Sequence, residues 1–460
     1  MTTRNVVLLV LDTVRKDVFD ERASRVRDRS TVSFERAYAP SSWTVPSHAS
    51  MFTGKLPHEH GVHAHDIDYT KLDIEDTFLG ALNHQTIGVS ANSFLSPQFG
   101  FDGLFDEFTS LQGNEELLPG GIDSAEFMDT TNATGIGRYL AYLRKAAAES
   151  ALTPSLANAF YMKLNNAGLG RPVPRFGDYG ARAALNSGYK RASVSSPFFL
   201  FVNLVDAHEP HEVLRGYETD VPTNWTSREH DIWEINTTGI EHFPTYLDRF
   251  SELYGCAVEY LDGRVDSFVD SIQSKTDRET TVIVTADHGE ELGRENERTL
   301  GHKIPSAAVS HVPLEVINPP PSWQPGRVND VVSLLDLGRL VQAVVDDEAP
   351  DIARDIAPVE RLGDTHPPTE QTAFWNRGIR STFGADEAYE WDTEGTRNHY
   401  DIGKSTEQLV DNDTTIPDLS LAQYSVDLDT AKSEAAALGE PLGDDVDGRR
   451  QKRLEDLGYM

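Results

Sequence analysis

The chain predicts a layered α/β domain with a mostly parallel central sheet flanked by helices, followed by a small C-terminal antiparallel-sheet subdomain. Three observations carry the prediction. Short apolar runs ending in polar residues recur through the first two thirds of the sequence, stretches of helical period lie between them, and beyond about Pro350 the composition turns polar with short alternating runs.

In chain order, residues 6–11 are an unbroken apolar run ending in Asp12, as in a buried parallel strand. Residues 86–90 lead into Ala91-Asn92, residues 198–205 into Asp206-Ala207-His208, and residues 281–285 into Ala286-Asp287-His288-Gly289. Open α/β sheets gather ligands beyond the carboxyl ends of their strands, so four strands deliver polar side chains to one edge. Leu253, Val258, Leu261 and Val265 recur at helical spacing and predict a helix over residues 250–274. Residues 112–195 carry weak strand patterns and helical runs such as 136–152, which predicts an inserted helical cap. A strand over residues 311–317 precedes Asn318-Pro319-Pro320-Pro321, and residues 330–346 resume a helix. The expected division is a catalytic domain over 1–345 containing the cap, a C-terminal α+β subdomain over 346–425, and a charged tail over 426–460. The subdomain takes its strands from residues 372–382 and 387–392, and the tail forms a surface helix with frayed ends.

Composition narrows the function. The 460 residues carry 41 Lys and Arg against 74 Asp and Glu, a net charge of −33 that repels nucleic acid phosphates and anionic membranes. Nucleic acid is thereby excluded as a partner. The cations are 30 Arg and only 11 Lys, and this depletion of Lys beside abundant carboxylates predicts a protein from a salt-loving source. Cys256 is the only cysteine, which excludes an intramolecular disulfide and a cysteine-based metal site. The apolar run near the N-terminus is too short for a signal peptide or a membrane span, so a cytoplasmic location is expected.

The densest chemistry lies in Ser41-Ser42-Trp43-Thr44-Val45-Pro46-Ser47-His48, directly before a helix-compatible run. A hydroxyl at a helix N-terminus sits in a positive field that stabilises an anion or alkoxide. Read locally, Thr44 or Ser47 serves equally as a plain helix cap. Asp12 and Asp287-His288 stand at strand ends, where two carboxylates and an imidazole suit a divalent cation, although an Asp-His-Gly sequence alone also reads as an Asx turn. His208 and His302-Lys303 add imidazoles and an ammonium. The tract His58, His60, His63 and His65 resembles a metal-binding run and is read as a loop near the site.

Taken together and in order, Asp12, the Thr44-Val45-Pro46-Ser47 turn, Asn92, His208 with Pro210, Asp287-His288-Gly289, and Gly301-His302 before His311-Val312-Pro313-Leu314 resemble the sulfatase family of the alkaline phosphatase superfamily. The likeness extends to Gly103-Leu104-Phe105-Asp106 and to the closing Leu454-Glu455-Asp456-Leu457-Gly458-Tyr459. It implies an alkaline-phosphatase-like fold and an ester hydrolase. It further implies one divalent cation (Ca, Mg, Mn or Zn) held by Asp12, Thr44, Asp287 and His288. Thr44 would be the nucleophile and His208 the proton donor, with His48, His302 and Lys303 binding the substrate's oxygens.

The departures from the family pattern are informative. Thr44 stands where the family has the Cys or Ser that becomes formylglycine, so no formylglycine is expected and phospho-ester chemistry is favoured over sulfate esters. His48 replaces an Arg, and Asp12-Thr13 replaces a pair of acids. The implied substrate is an anionic sulfated or phosphorylated small molecule or glycan. A phospho-group transferase of the same family and a catalytically inactive glycan-binding protein are the alternatives.

The charge balance yields a test. At molar ionic strength the Debye length falls to about 3 Å and repulsion among carboxylates is screened. The melting temperature should therefore rise between about 0.1 M and molar salt, and equal stability at both would contradict the salt-adapted reading.

Overall fold

The computed structural model describes residues 4–111, 121–122, 127, 131, 136–166, 175, 177–364, 371–403 and 405–438. Its strands, in chain order, are β1 (Asn5–Leu11), β2 (Val32–Tyr38), β3 (Gln85–Ser90), β4 (Glu107–Ser110), β5 (Phe198–Leu204), β6 (Thr280–Thr285), β7 (Glu291–Leu292), β8 (Leu300–Gly301), β9 (His311–Ile317), β10 (Gly326–Ser333), β11 (Ala357–Leu362), β12 (Gly378–Phe383), β13 (Glu387–Asp392), β14 (Arg397–Ile402) and β15 (Glu407–Asn412).

Eight of them form one sheet in the order β10-β2-β9-β6-β1-β5-β3-β4. Every neighbouring pair is parallel except those made by β9, which runs antiparallel to both β2 and β6. The central strands β1, β5 and β6 are buried along their whole length, which explains their unbroken apolar sequences: a strand covered on both faces has no solvent side to mark with polar residues. The parallel register sets Leu11 beside Leu204 and Val10 beside Thr285, so β1, β5 and β6 end together and their following loops share one edge.

The long helix Pro244–Gln273 buries Phe250, Leu253, Tyr254, Leu261, Val265 and Ile272 and packs with the helices Lys16–Arg22, Ser24–Arg29 and Ala181–Arg191. The helices Thr44–Thr53 and Leu337–Asp346 form a second packed group, the latter also against β1. Between residues 112 and 195, Ile136–Ala148 and Leu152–Asn166 contribute to a small separate core with Ile122, Phe127, Tyr142 and Ala146. Ala181–Arg191 behaves differently and lies on β3 and β5, close enough that a Cβ at Gly188 would sit 3.2 Å from the Val202 side chain.

Strands β11 to β15 form an antiparallel sheet in sequence order. Two local expectations change here. Residues 330–333 belong to β10, because the β-branched pair Val331 and Val332 seats against Arg36 and Ala37 of β2, and the helix starts only at Leu337. Residues 372–375 are a helical turn, and the strand begins at Gly378 after Arg377 has turned to bind Asp392 Oδ2 at 2.8 Å. The tail helix is Leu428–Leu438, and the closing Leu-Glu-Asp-Leu-Gly-Tyr lies outside the described residues. Among the described residues no helix is long and apolar enough to cross a membrane.

The second sheet is fastened to the loop that precedes helix Thr44–Thr53. Glu360 N–H donates to the Pro40 carbonyl at 3.0 Å, and Ser41 Oγ donates to the Glu360 carbonyl at 2.7 Å. The Glu360 carboxylate is fully buried and takes hydrogen bonds from Arg380 Nε (2.9 Å), the His58 backbone (2.8 Å) and His58 Nδ1 (2.9 Å), which hold its pKa below the usual range. A buried carboxylate so surrounded is costly to strip of partners. The anchor therefore fixes where β11 meets the Ser41-Ser42 turn.

Candidate active site

The site grows from the ends of β1 and β6. Asp12 follows β1, and Asp287 and His288 follow β6 after Ala286; all three are fully buried. Thr13 adopts a left-handed backbone, φ 62°, which aims its N–H at Asp287 Oδ1 (3.2 Å). That conformation is held by Tyr254, whose hydroxyl donates to the Thr13 carbonyl at 2.7 Å and accepts from Arg15 N–H at 2.9 Å. The glycine of Asp-His-Gly has a steric reason, since a Cβ on Gly289 would lie 2.3 Å from the Ala308 carbonyl oxygen.

Asp12 and Asp287 are each only half satisfied. Asp12 Oδ2 accepts from Asn92 Nδ2 (2.8 Å) and Asn203 Nδ2 (3.2 Å), and Asp287 Oδ1 accepts from Thr13 and His288 N–H. Asp12 Oδ1 and Asp287 Oδ2 have no hydrogen-bond partner among the described residues. Burial pushes the Asp12 carboxyl up to about 6, with the neighbouring Asp287 adding to the rise, and burial pushes Asp287 up to about 7. Among the described residues, Asp12, Asp287 and His288 are the group whose ligand atoms lie within 4.8 Å of one another. His288 Nδ1 must donate to the Gly289 carbonyl at 2.9 Å, which leaves the Nε2 lone pair facing Thr44 Oγ1 at 3.4 Å and Asp287 Oδ2 at 3.5 Å. Two buried oxygens without hydrogen-bond partners among the described residues, beside an imidazole lone pair, fit a divalent cation.

Thr44 is the first residue of its helix, fully buried, with its hydroxyl also within reach of Asp287. Ser47 Oγ donates to the Asp287 carbonyl oxygen at 2.6 Å and ties the same helix turn to the β6 loop. Tyr69 OH adds a bond to the Val45 carbonyl at 2.9 Å.

The histidines expected to act on substrate separate into two groups. His208 and His302 join His288, with ring centroids 6.0 Å apart for His208 and His302 and 4.9 Å apart for His288 and His302. His208 Nδ1 donates to the Glu209 carbonyl at 2.7 Å, so its Nε2 is the exchangeable nitrogen. Lys303 Nζ lies 4.1 Å from the Trp233 ring centre and 3.7 Å from Asp364 Oδ2. His48 lies behind Asp287, its Nδ1 3.6 Å from Oδ2. Its ring is wedged edge-on against Phe101 and Phe201, its Nδ1 donates to the Thr44 carbonyl at 2.9 Å, and burial pulls its pKa down to about 3. It therefore lies under Thr44 as a neutral ring. The tract of four histidines is structural: His60 Nε2 meets Ser50 Oγ at 2.9 Å, and His58 is bound to Glu360.

Three participants escaped the sequence reading. Asn203 lies inside the apolar β5, and its one polar signal there was a buried amide in need of a partner. Glu290 follows Gly289 and is fully buried, its Oε2 without a hydrogen-bond partner among the described residues, and burial raises its pKa well above the carboxylate range. Arg361 arrives from β11, and its Nη1 donates to Ser42 Oγ (3.0 Å) and to the His302 carbonyl (3.2 Å). Nothing local in the sequence marks it.

Comparison with known proteins follows the same lines. The sulfatase family model matches residues 4–341. Among solved structures, a phosphonate monoester hydrolase from Silicibacter pomeroyi is similar with a TM-score of 0.59 at 14% identity, over 99% of this chain and 96% of the other. A phosphonate monoester hydrolase of Agrobacterium radiobacter gives 0.53 at 15% identity, over 99% and 94%. A 2-O GAG sulfatase gives 0.53 at 11% identity, over 99% and 90%. No curated protein matches the sequence.

The raised pKa of Asp287 fixes a sign for stability. A carboxyl whose folded pKa lies above its unfolded value stabilises most below about pH 4 and loses that contribution as the pH rises towards 7. Asp287→Asn keeps the Oδ1 acceptor and removes the charge. Without metal it should be more stable than the parent at pH 8, by on the order of 2 kcal/mol, with the gap closing near pH 4. With saturating divalent cation at pH 8 the order should reverse. Chemical denaturation at the two pH values checks this, and a metal-free variant less stable than the parent at pH 8 would contradict it.

Proposed function

Because the chain belongs to the sulfatase family and so to the ester hydrolases, we propose that it cleaves sulfate or phosphate esters through Thr44 as nucleophile, phosphate esters being favoured. One observation carries this reading: a hydroxyl at a helix start faces His288 Nε2 at 3.4 Å and lies within reach of Asp287, in a group with Asp12 where each carboxylate retains an oxygen without a hydrogen-bond partner among the described residues. Threonine itself supports ordinary ester chemistry, because the methyl on its Cβ blocks oxidation to the formylglycine aldehyde.

Sulfatase-family enzymes use a divalent metal, and here Asp12, Asp287, His288 and Thr44 Oγ1 would hold it. Such an ion, whether Ca, Mg, Mn or Zn, supplies two things when bound: neutralisation of the carboxylates and a lower pKa for a coordinated hydroxyl. Thr44 Oγ1 gives up its hydroxyl proton to solvent and forms its bond to phosphorus or sulfur as the bond to the leaving oxygen breaks. His208 gives that oxygen a proton from Nε2 and takes one back from the water that then cleaves the Thr44 ester. His302 and Lys303 hold the non-bridging oxygens. His48 acts as a positioning residue, fixing the first helical turn through the Thr44 carbonyl. The similar structures include a 2-O GAG sulfatase and phosphonate monoester hydrolases, which supports an anionic sulfated or phosphorylated small molecule or glycan as substrate.

The test is covalent. Mass spectrometry of the protein after incubation with divalent cation and aryl sulfate, phosphate monoester and phosphodiester substrates should find a sulfo or phospho adduct on the Thr44 peptide. Thr44→Ala should lose both adduct and turnover, by at least about a thousandfold, whereas Thr44→Ser keeps part of each. Turnover that survives in Thr44→Ala would make water the nucleophile and overturn the reading.

A further inference from the structure

We infer that Arg361, delivered by the second sheet, is the anion-binding guanidinium of this site and that Asp364 tempers its grip. The inference rests on the ester-hydrolase reading above and concerns how the substrate's anionic group is held. The helix position where the family pattern has an arginine is occupied by His48, whose ring is sequestered between Phe101 and Phe201 and whose Nδ1 is committed to the Thr44 carbonyl. The helix therefore offers no cation of its own beside the nucleophile.

Arg361 stands where such a cation is needed. It is only 3% exposed, and its Nη1 bridges Ser42 Oγ, two residues before Thr44, and the carbonyl of His302. One guanidinium thus touches both the nucleophile turn and the loop carrying His302 and Lys303. Its Nη2 is bound to Asp364, and its Nε has no hydrogen-bond partner among the described residues. Three of its five N–H donors are engaged in these bonds, so Nε–H and the second N–H of Nη2 are left to meet the oxygens of a sulfate or phosphate group. Asp364 also faces Lys303 at 3.7 Å, so a single carboxylate is shared by two cations. An anion entering between them meets positive charge that Asp364 only partly cancels.

The position of Arg361 explains the rigid seam around it. Glu360, its neighbour in β11, is held by Arg380 and His58 and hydrogen-bonded to Pro40 and Ser41, which fixes β11 against the nucleophile turn. A side chain reaching the site from another sheet needs such a fixed base to be placed to within a fraction of an ångström.

Inorganic phosphate and inorganic sulfate are the probes, titrated calorimetrically into the full-length protein with and without divalent cation, and assayed as competitive inhibitors of aryl ester turnover. Arg361→Gln should weaken both anions at least tenfold, and Arg361→Lys should recover part of the loss. Asp364→Asn should shift affinity the other way and tighten both anions several-fold, because Arg361 and Lys303 lose their shared counter-charge. A purely structural ion pair would make the two variants alike. Wild-type anion affinity in a folded Arg361→Gln, or weakened affinity in Asp364→Asn, would overturn the inference. If Arg361→Gln fails to fold, Arg361→Lys decides: weakening of about threefold or more supports the clamp, and unchanged affinity overturns it. Anion affinity is read without turnover, so failure of the clamp and failure of the Thr44 mechanism give different results.

Discussion

Two buried carboxylates facing one another set the terms for the rest of the molecule. Asp12 and Asp287 leave the ends of adjacent, wholly buried strands, and each keeps one oxygen without a hydrogen-bond partner among the described residues. Ionising both there costs several kcal/mol per charge unless a cation compensates, and their upward-shifted pKa values express that cost. The surrounding structure is arranged to keep the pair in place. Asn92 and Asn203 hold the outer oxygen of Asp12, the left-handed Thr13 and the His288 backbone hold that of Asp287, and Tyr254 locks the Thr13 turn from the long helix. The parallel register supplies the geometry, because β1, β5 and β6 terminate at one level.

The second sheet completes the site as well as the fold. Its first strand sends Glu360 into the seam with Pro40 and Ser41 and sends Arg361 to Ser42 and His302. The small sheet and the Ser41-Ser42 turn are therefore mutually dependent, and disruption of the Glu360 network would be felt at Thr44 through Ser41 and Ser42. The helix carrying Thr44 is fixed from two directions, by Ser47 on the β6 loop and by Tyr69 on the Val45 carbonyl, and His48 braces its first turn from within.

Much of this was legible in the sequence, for a physical reason. Strands buried on both faces are written as continuous apolar runs, and the polar residue that ends each run is where a sheet edge gathers chemistry; Asp12, Asn92, His208, Asp287 and His288 were found in this way. Strands with one wetter face were harder to see. In β2, Ser33, Glu35 and Arg36 are only half buried, and in β10 the first five residues are half-buried or exposed, so neither run stands out from a loop. The roles of the remaining site residues depend on distant partners. His48 reads as a substrate ligand by position and proves to be a neutral ring between two phenylalanines. Arg361 reads as an ordinary charge in a polar segment until the second sheet folds against the Ser41-Ser42 turn. No local pattern encodes a contact between residues 319 positions apart.

The claim on which the account turns is that the Asp12–Asp287 pair is completed by a divalent cation that the reaction requires. Metal content and ester turnover, measured on the same protein before and after chelator dialysis and after stepwise add-back, test it most directly. The account predicts a single bound ion per chain, loss of turnover on its removal, recovery in proportion to the ion restored, and failure of Asp12→Asn to retain it. Full turnover by protein shown to be free of metal would contradict it.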